Sequence, residues 1–208
     1  EDITLTLESG PLGGVAAGGL NFGCAYNPEV ILEHPNMFDL YDGGALDVAY
    51  LGLAQADEAG NINVSKFGNR IAGCGGFVNI TQNAKKVVFC GTLTAGGLEV
   101  AVENGKLRIV KEGKSKKFVK KVDQITFSGA YAQEVGQAVI YLTERAMFEL
   151  RPEGMVLTEI APGIDLQKEV LDQIDFPVKV AADMKVMDPR IFGESLMGIK
   201  AEFAAKAK

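Results

Sequence analysis

The sequence predicts an α/β fold: an open, mostly parallel sheet with helices, plus an appended antiparallel β-hairpin portion. Three observations carry this reading. Residues 48–53 and 87–90 are unbroken apolar runs of strand length, the pattern of strands covered on both faces. Short helix signals lie among the strand runs, with Asn27-Pro28 and Asp165 as helix starts and residues 35–42 as a helix. Farther on, Glu99–Glu103 and residues 106–110 flank Asn104-Gly105, the strongest short-range hairpin signal. At 208 residues without an internal repeat or a linker-like stretch, the chain reads as one domain, 1–208. A domain of that size buries roughly 70% of its unfolded surface, enough for a core without staples.

Taken in order, Ile3, Leu5 and Leu7 alternate with Thr4, Thr6 and Glu8, the period-two signature of a half-buried strand. That strand runs into Ser9-Gly10-Pro11 and Gly13-Gly14, which puts Glu8 at a strand end facing a glycine loop. Gly18-Gly19 forms a second glycine-rich segment, and Asn27-Pro28 reads as an N-cap followed by a first helical residue. The helix over 35–42 closes at Gly43-Gly44, ahead of the strand at 48–53. A turn and short strand over 60–64 lead to the glycines at 73, 75 and 76, before the strand at 87–90. Beyond the hairpin, strands are expected at 138–142, 147–150 and 155–160, with Arg151-Pro152-Glu153-Gly154 turning between the last two. Asp165 is placed to cap a helix from Leu166 to about Ile174, and the tail from Asp188 reads as irregular.

Charge and composition exclude several classes. With 21 Lys+Arg against 27 Asp+Glu and only 8% aromatics, the chain is a poor match for a nucleic-acid binder. No run approaches the 18 apolar residues of a membrane span, and the first residues show no secretion signal. Cys24, Cys74 and Cys90 lack CxxC spacing and read as buried free thiols in a reducing cytoplasm, so a cytoplasmic location is expected. The chain opens on Glu1 rather than Met, which reads as a processed subunit or an excised part of something longer.

His34 is the only histidine, so a two-histidine zinc site cannot come from this chain, and any Ser-His-Asp or Cys-His set would have to use it. Beside Pro35 it reads as a helix-end or turn residue. Gly113-Lys114-Ser115 imitates the end of a phosphate-binding loop, but the required upstream glycine falls at Arg108 and a hairpin precedes it. The eight basic residues within 106–121 read as a solvated hairpin face, with attraction of a phosphorylated ligand as the other reading. Glu8 stands apart. A carboxylate beside glycines that admit a ligand closely can serve as nucleophile or general base; otherwise it is a solvent-facing strand residue or a turn cap.

Glu8-Ser9-Gly10 followed by Gly13-Gly14 resembles the ExG motif of the class I CoA-transferases, nearest the acetate, propionate and acetoacetate branch. The resemblance continues through Gly43-Gly44-Ala45-Leu46-Asp47, Leu51-Gly52-Leu53-Ala54-Gln55 and Asn63-Val64-Ser65-Lys66. It goes on through Gly73-Cys74-Gly75-Gly76-Phe77 and Phe118-Val119-Lys120-Lys121, leaving only the last dozen residues unplaced. The resemblance implies the C-terminal (beta) half of such an enzyme, with the N-terminal (alpha) half absent from this chain.

It further implies a short-chain acyl-CoA:carboxylate CoA-transferase working by ping-pong covalent catalysis, with Glu8 as nucleophile. Gly75 or Gly76 would then supply the oxyanion-hole N–H, while Gly43, Gly44, Gln55, Asn63 and Gly73 would line the CoA and substrate site. Coenzyme A is implied as substrate and covalent intermediate, with no metal and no permanently bound cofactor. The implied partners are acyl-CoA, small carboxylic acids, an N-terminal half and further copies in a homo-oligomer, without nucleic acid or membrane. An acyl-CoA thioester hydrolase and a non-catalytic CoA-binding protein of the same fold are the alternatives on the same residues.

Overall fold

The computed structural model describes residues 3–206. Its centre is a six-stranded sheet in the order Lys179–Val186, Gly154–Ile160, Ala146–Arg151, Ala138–Leu142, Lys86–Cys90, Ala49–Gly52. Both pairings of Ala146–Arg151 are antiparallel and the other three are parallel, so five strands run one way and one is reversed. This is the mostly parallel α/β sheet the sequence predicts. Helices precede two of the parallel strands: Phe77–Gln82 leads into Lys86–Cys90, and Gly129–Glu134 into Ala138–Leu142. Ser128 starts the second of these, its hydroxyl accepting from the Tyr131 N–H.

The core forms where these elements meet. Phe89 and Tyr141 are register partners on adjacent parallel strands, their rings stacked 5.7 Å apart. Phe77 stacks on Phe89 from the helix at 5.7 Å, and Phe127 meets it edge-on at 4.9 Å. Each such ring contributes about 1.5–3 kcal/mol by leaving water. The Tyr141 hydroxyl donates to the Gly60 carbonyl at 2.6 Å, so its one polar group is satisfied inside the core.

A second buried feature is ionic. The Arg145 side chain is 0% exposed, in the turn between Ala138–Leu142 and Ala146–Arg151. It donates to Glu112 at 2.7 and 3.1 Å, to Glu144 at 2.5 Å and to the Glu169 carbonyl at 3.0 Å. Burial alone pushes the Glu112 carboxyl up, but bonds from Arg145, Thr94 and the Gly113 N–H outweigh it and hold it below its ordinary value. The network joins the hairpin base to the sheet and to the Leu166–Glu169 helix.

The hairpin is formed as expected, with Val102 opposite Leu107 and Glu103 opposite Lys106. Asn104 and Gly105 take φ of 53° and 73°, the pair of positive values a two-residue type I′ turn requires. Across it Arg108 pairs with Glu103 and Lys111 with Glu99, and just beyond it Lys116 pairs with Asp175.

Several expectations are corrected. Residues 48–53 do not form a strand covered on both faces: Ala49–Gly52 is a sheet edge, with Ala49 buried and Tyr50 71% exposed. Residues 3–7 form no strand beyond an isolated bridge from Thr6 to Leu12, because no sheet lies under their apolar side. Asn27-Pro28 starts no helix; Asn27 takes φ 51° in the turn between two-residue strands Ala25–Tyr26 and Val30–Ile31. The helix expected to reach Ile174 breaks after Leu166–Glu169 and resumes as a 3₁₀ turn, Leu171–Gln173, although Asp165 does cap its start. The tail holds a 3₁₀ turn, Pro189–Phe192, and a helix, Lys200–Lys206. The eight-residue strand Lys179–Val186 has no counterpart in the sequence reading. Cys24 and Cys74 are free but exposed rather than buried.

Candidate active site

Glu8 is exposed, at the crown of a turn rather than at the end of a strand. The Gly10 N–H donates to the Leu7 carbonyl at 2.9 Å, and the Leu7 N–H to the Pro11 carbonyl at 3.0 Å. Gly10 has φ +124°, and a Cβ there would overlap the Leu32 carbonyl, whose own N–H donates back to Gly10 O at 2.9 Å. Only glycine brings these two backbones together.

Below this turn lies the helix His34–Asp42, the one expected over 35–42. Phe38 and Tyr41 sit three residues apart on it and so share a face, their rings edge-on at 6.0 Å. Tyr41 is 2% exposed and donates to Thr6 Oγ1 at 3.0 Å. Burial raises the Tyr41 hydroxyl above its ordinary value; the bond to Thr6 opposes this and the Glu8 charge adds to it. His34 is the first residue of the helix, its ring edge-on to Phe38 at 4.8 Å, in keeping with the helix-end reading.

The glycine loop meets Glu8 here. A Cβ on Gly76 would lie 2.6 Å from Phe38 Cζ and 2.8 Å from both Cδ and Oε1 of Glu8. Gly76 has φ −80°, so glycine stands there for space and not for conformation. Gly75 and Gly73 are the reverse case, with φ of +52° and +83° and open space around them. The Gly73 N–H donates to the Ser65 carbonyl at 3.1 Å. Among the described residues, no hydrogen bond engages the N–H of Gly75 or Gly76.

The remaining candidates stand farther back. Gly43 and Gly44 end the aromatic helix, their N–H groups donating to Asp39 and Tyr41 carbonyls at 2.9 Å each. Asn63 is 0% exposed, and its amide donates to Gln55 Oε1 and the Lys66 carbonyl, both at 2.6 Å. Its Oδ1 accepts from the Ser65 and Lys66 N–H groups. Ser65 then holds Ala72 and Gly73 through its carbonyl, at 2.8 and 3.1 Å. Asn63 thus braces the loop that delivers Gly76, its amide occupied on both sides, while Gln55 accepts through Oε1 from Asn63 and from the Asp123 N–H. Sequence reasoning missed Thr6, Phe38 and Tyr41; only the shared helix face of the two rings was visible there.

Glu8 and Gly75 are exposed, and Gly76 between them and the helix is buried. Two shallow depressions of about 400 and 330 Å³ lie elsewhere, around Asp57 and Lys121 and around Lys85 and Gln137. Among the described residues no three His, Cys, Asp or Glu side chains gather as a metal set, and no helix is long and apolar enough to cross a membrane.

No family model matches the chain. It is 55% identical over 204 residues to caffeate CoA-transferase of Acetobacterium woodii, covering 96% of this chain and 39% of that one. A crystal structure of the acyl-CoA transferase YdiF apoenzyme from Escherichia coli O157:H7 superposes with a TM-score of 0.89 at 48% identity, over 95% of this chain and 37% of that one. The YdiF thioester complex with CoA matches with a TM-score of 0.88, over the same shares. One of the subunits of 3-oxoadipate CoA-transferase from Pseudomonas knackmussii is 25% identical over 98% of this chain and 80% of its own length. A mostly parallel sheet carrying a carboxylate against a glycine loop is, on these superpositions, an α/β domain of the CoA-transferase fold. The chain belongs to the class I CoA-transferase family, as its beta half. It spans about two fifths of the length of the full-length relatives it matches.

Proposed function

We propose that this chain is the nucleophile-bearing half of a short-chain acyl-CoA:carboxylate CoA-transferase. The observation that carries the reading is the meeting of the Glu8 carboxylate with Gly76, in a loop whose Gly75 and Gly76 N–H groups are uncommitted. One Glu8 oxygen attacks the thioester carbonyl; the C–S bond breaks and CoA leaves as thiolate, giving an acyl-glutamyl anhydride. The thiolate then attacks the glutamyl carbonyl, releasing the donor acid as carboxylate and leaving a Glu8–CoA thioester. An incoming carboxylate runs the same steps in reverse and departs as the new acyl-CoA. No water and no net proton enter.

Each attack places negative charge on a carbonyl oxygen, and an N–H fixed beside it contributes about 3–4 kcal/mol to the transition state. Gly75 and Gly76 are the donors proposed. Gly43, Gly44 and Gly73 shape the backbone around the CoA path, with Gln55 and Asn63 holding it. The anhydride and thioester survive only where water is excluded. Phe22 is 82% exposed and Ile3, Leu5 and Ile31 are also exposed, apolar surface on the segments around Glu8 that suits a covering N-terminal half. Two relatives whose names mark them as single components of multi-chain transferases, from Pseudomonas knackmussii and Haemophilus influenzae, favour the same arrangement. The reading includes a homo-oligomer in the cytoplasm, with CoA as substrate and covalent intermediate.

Intact-mass measurement after brief exposure to acetyl-CoA, with the N-terminal half supplied, tests it. The expected product is one CoA thioester mapped to Glu8. CoA release without an acceptor acid and without that adduct would make the protein a thioester hydrolase, and no reaction at all a non-catalytic binding protein.

A further inference from the structure

We infer that Tyr41 is a positioning residue for Glu8, acting through Thr6 to hold the nucleophile against the Gly76 loop; this rests on the transferase reading. The turn that carries Glu8 is fastened to the aromatic helix on both sides. After Glu8, Gly10 exchanges close contact and a 2.9 Å bond with Leu32, two residues ahead of the helix. Before Glu8, the fastening is the Tyr41 hydroxyl on Thr6 Oγ1 at 3.0 Å, in the helix's last turn. Thr6 is also the residue that bridges to Leu12 across the turn, so fixing it fixes both limbs.

The same helix supplies Phe38, whose Cζ reaches the point where Gly76 and the Glu8 carboxylate meet. Carboxylate and floor are therefore referenced to one rigid element, and Tyr41 is the side chain that ties them. Its burial and the nearby Glu8 charge favour the neutral hydroxyl, which keeps the donor in place. A reacting oxygen displaced by about 1 Å loses on the order of 100-fold in rate while binding is little changed.

The test uses the transferase assembly containing this chain. Tyr41→Phe keeps the ring and deletes the donor; Thr6→Val deletes the acceptor. Each is expected to lower kcat about 10- to 100-fold with KM for acyl-CoA within about twofold, and to slow Glu8–CoA formation equally. The double variant is expected to be no slower than either single one, since both break one bond. Thr6→Ser, which keeps the acceptor oxygen, is expected to recover most of the loss seen in Thr6→Val. Wild-type kcat in Tyr41→Phe, or additive losses in the double variant, overturns the inference while the transferase reading stands. A wild-type assembly that forms no Glu8–CoA adduct overturns both.

Discussion

Residues 86–187 and residues 3–33 are built by different means. The first region is a sheet with stacked rings and an arginine wholly enclosed by its partners. The second is a series of two-residue strands and positive-φ glycines, with Leu20, Phe22 and Ile31 facing outward. Stability resides in the one and the proposed chemistry in the other. A loop region of this kind has low resistance to local opening, so the placement of Glu8 depends on a few specific bonds to one helix. A mutation that leaves the fold intact can therefore silence the site, and one that weakens the fold can leave the site's design unchanged.

The sharpest way to separate the regions is Glu8→Gln. Turnover should fall by several orders of magnitude while the melting temperature stays within a degree or so of wild type, because the exposed side chain contributes little packing. Retention of more than a few per cent of activity, on protein shown free of deamidation, removes Glu8 as nucleophile. The converse variant is Arg145→Met, which strands the Glu112 and Glu144 carboxylates. Urea denaturation should report a loss of about 3–5 kcal/mol. A loss below about 1 kcal/mol would mean that the sheet region does not rely on this network.

Within the site, two neighbouring glycines should behave differently. Gly76→Ala pushes a methyl into Phe38 and Glu8 and should slow CoA transfer at least about tenfold, with weaker effect on CoA binding. Gly75→Ala meets no neighbour; its cost is the left-handed backbone, about 1–2 kcal/mol of stability. Cys74→Ala is the control. Equal rates in folded Gly76→Ala and Cys74→Ala would refute the steric account. The smallest effect concerns acid. Glu112 is held below its ordinary value in the fold, so its ionised form adds stability above the unfolded value of 4.5, and that contribution is lost as the pH falls below it. Glu112→Gln should flatten the fall in stability across that range. An unchanged slope would show that other carboxylates govern acid unfolding.

Legibility in the sequence follows the same division. The strands Lys86–Cys90, Ala138–Leu142 and Gly154–Ile160 are visible as apolar runs because both their faces are in contact with other elements, and the hairpin because Asn104-Gly105 is a local signal. Lys179–Val186 is invisible because most of its side chains are exposed at the sheet edge, with Met184 packing against the core. The alternation of Ile3, Leu5 and Leu7 is misleading for the opposite reason: an apolar side without a sheet beneath it. Glu8 and the glycine loop are recognisable from motifs. Their meeting over Phe38 is not, since it joins segments about 30 and 70 residues apart through space. Gln55 and Asn63 have the residue types of ligand groups, and only the structure shows the Asn63 amide occupied at both ends and the Gln55 oxygen turned to Asn63 and the Asp123 N–H.

The single reversed strand, Ala146–Arg151, has a kinetic consequence. It pairs on both sides with its immediate neighbours in sequence, so the meander from Ala138 to Ile160 closes only short loops. Lys86–Cys90 must instead return across the whole hairpin and the Gly129–Glu134 helix to find Ala138–Leu142, a far costlier closure. The meander is thus expected to form first and to act as the template on which Lys86–Cys90, then Ala49–Gly52, are laid down. On that order of events the turn bearing Glu8 is among the last parts of the chain to find its place.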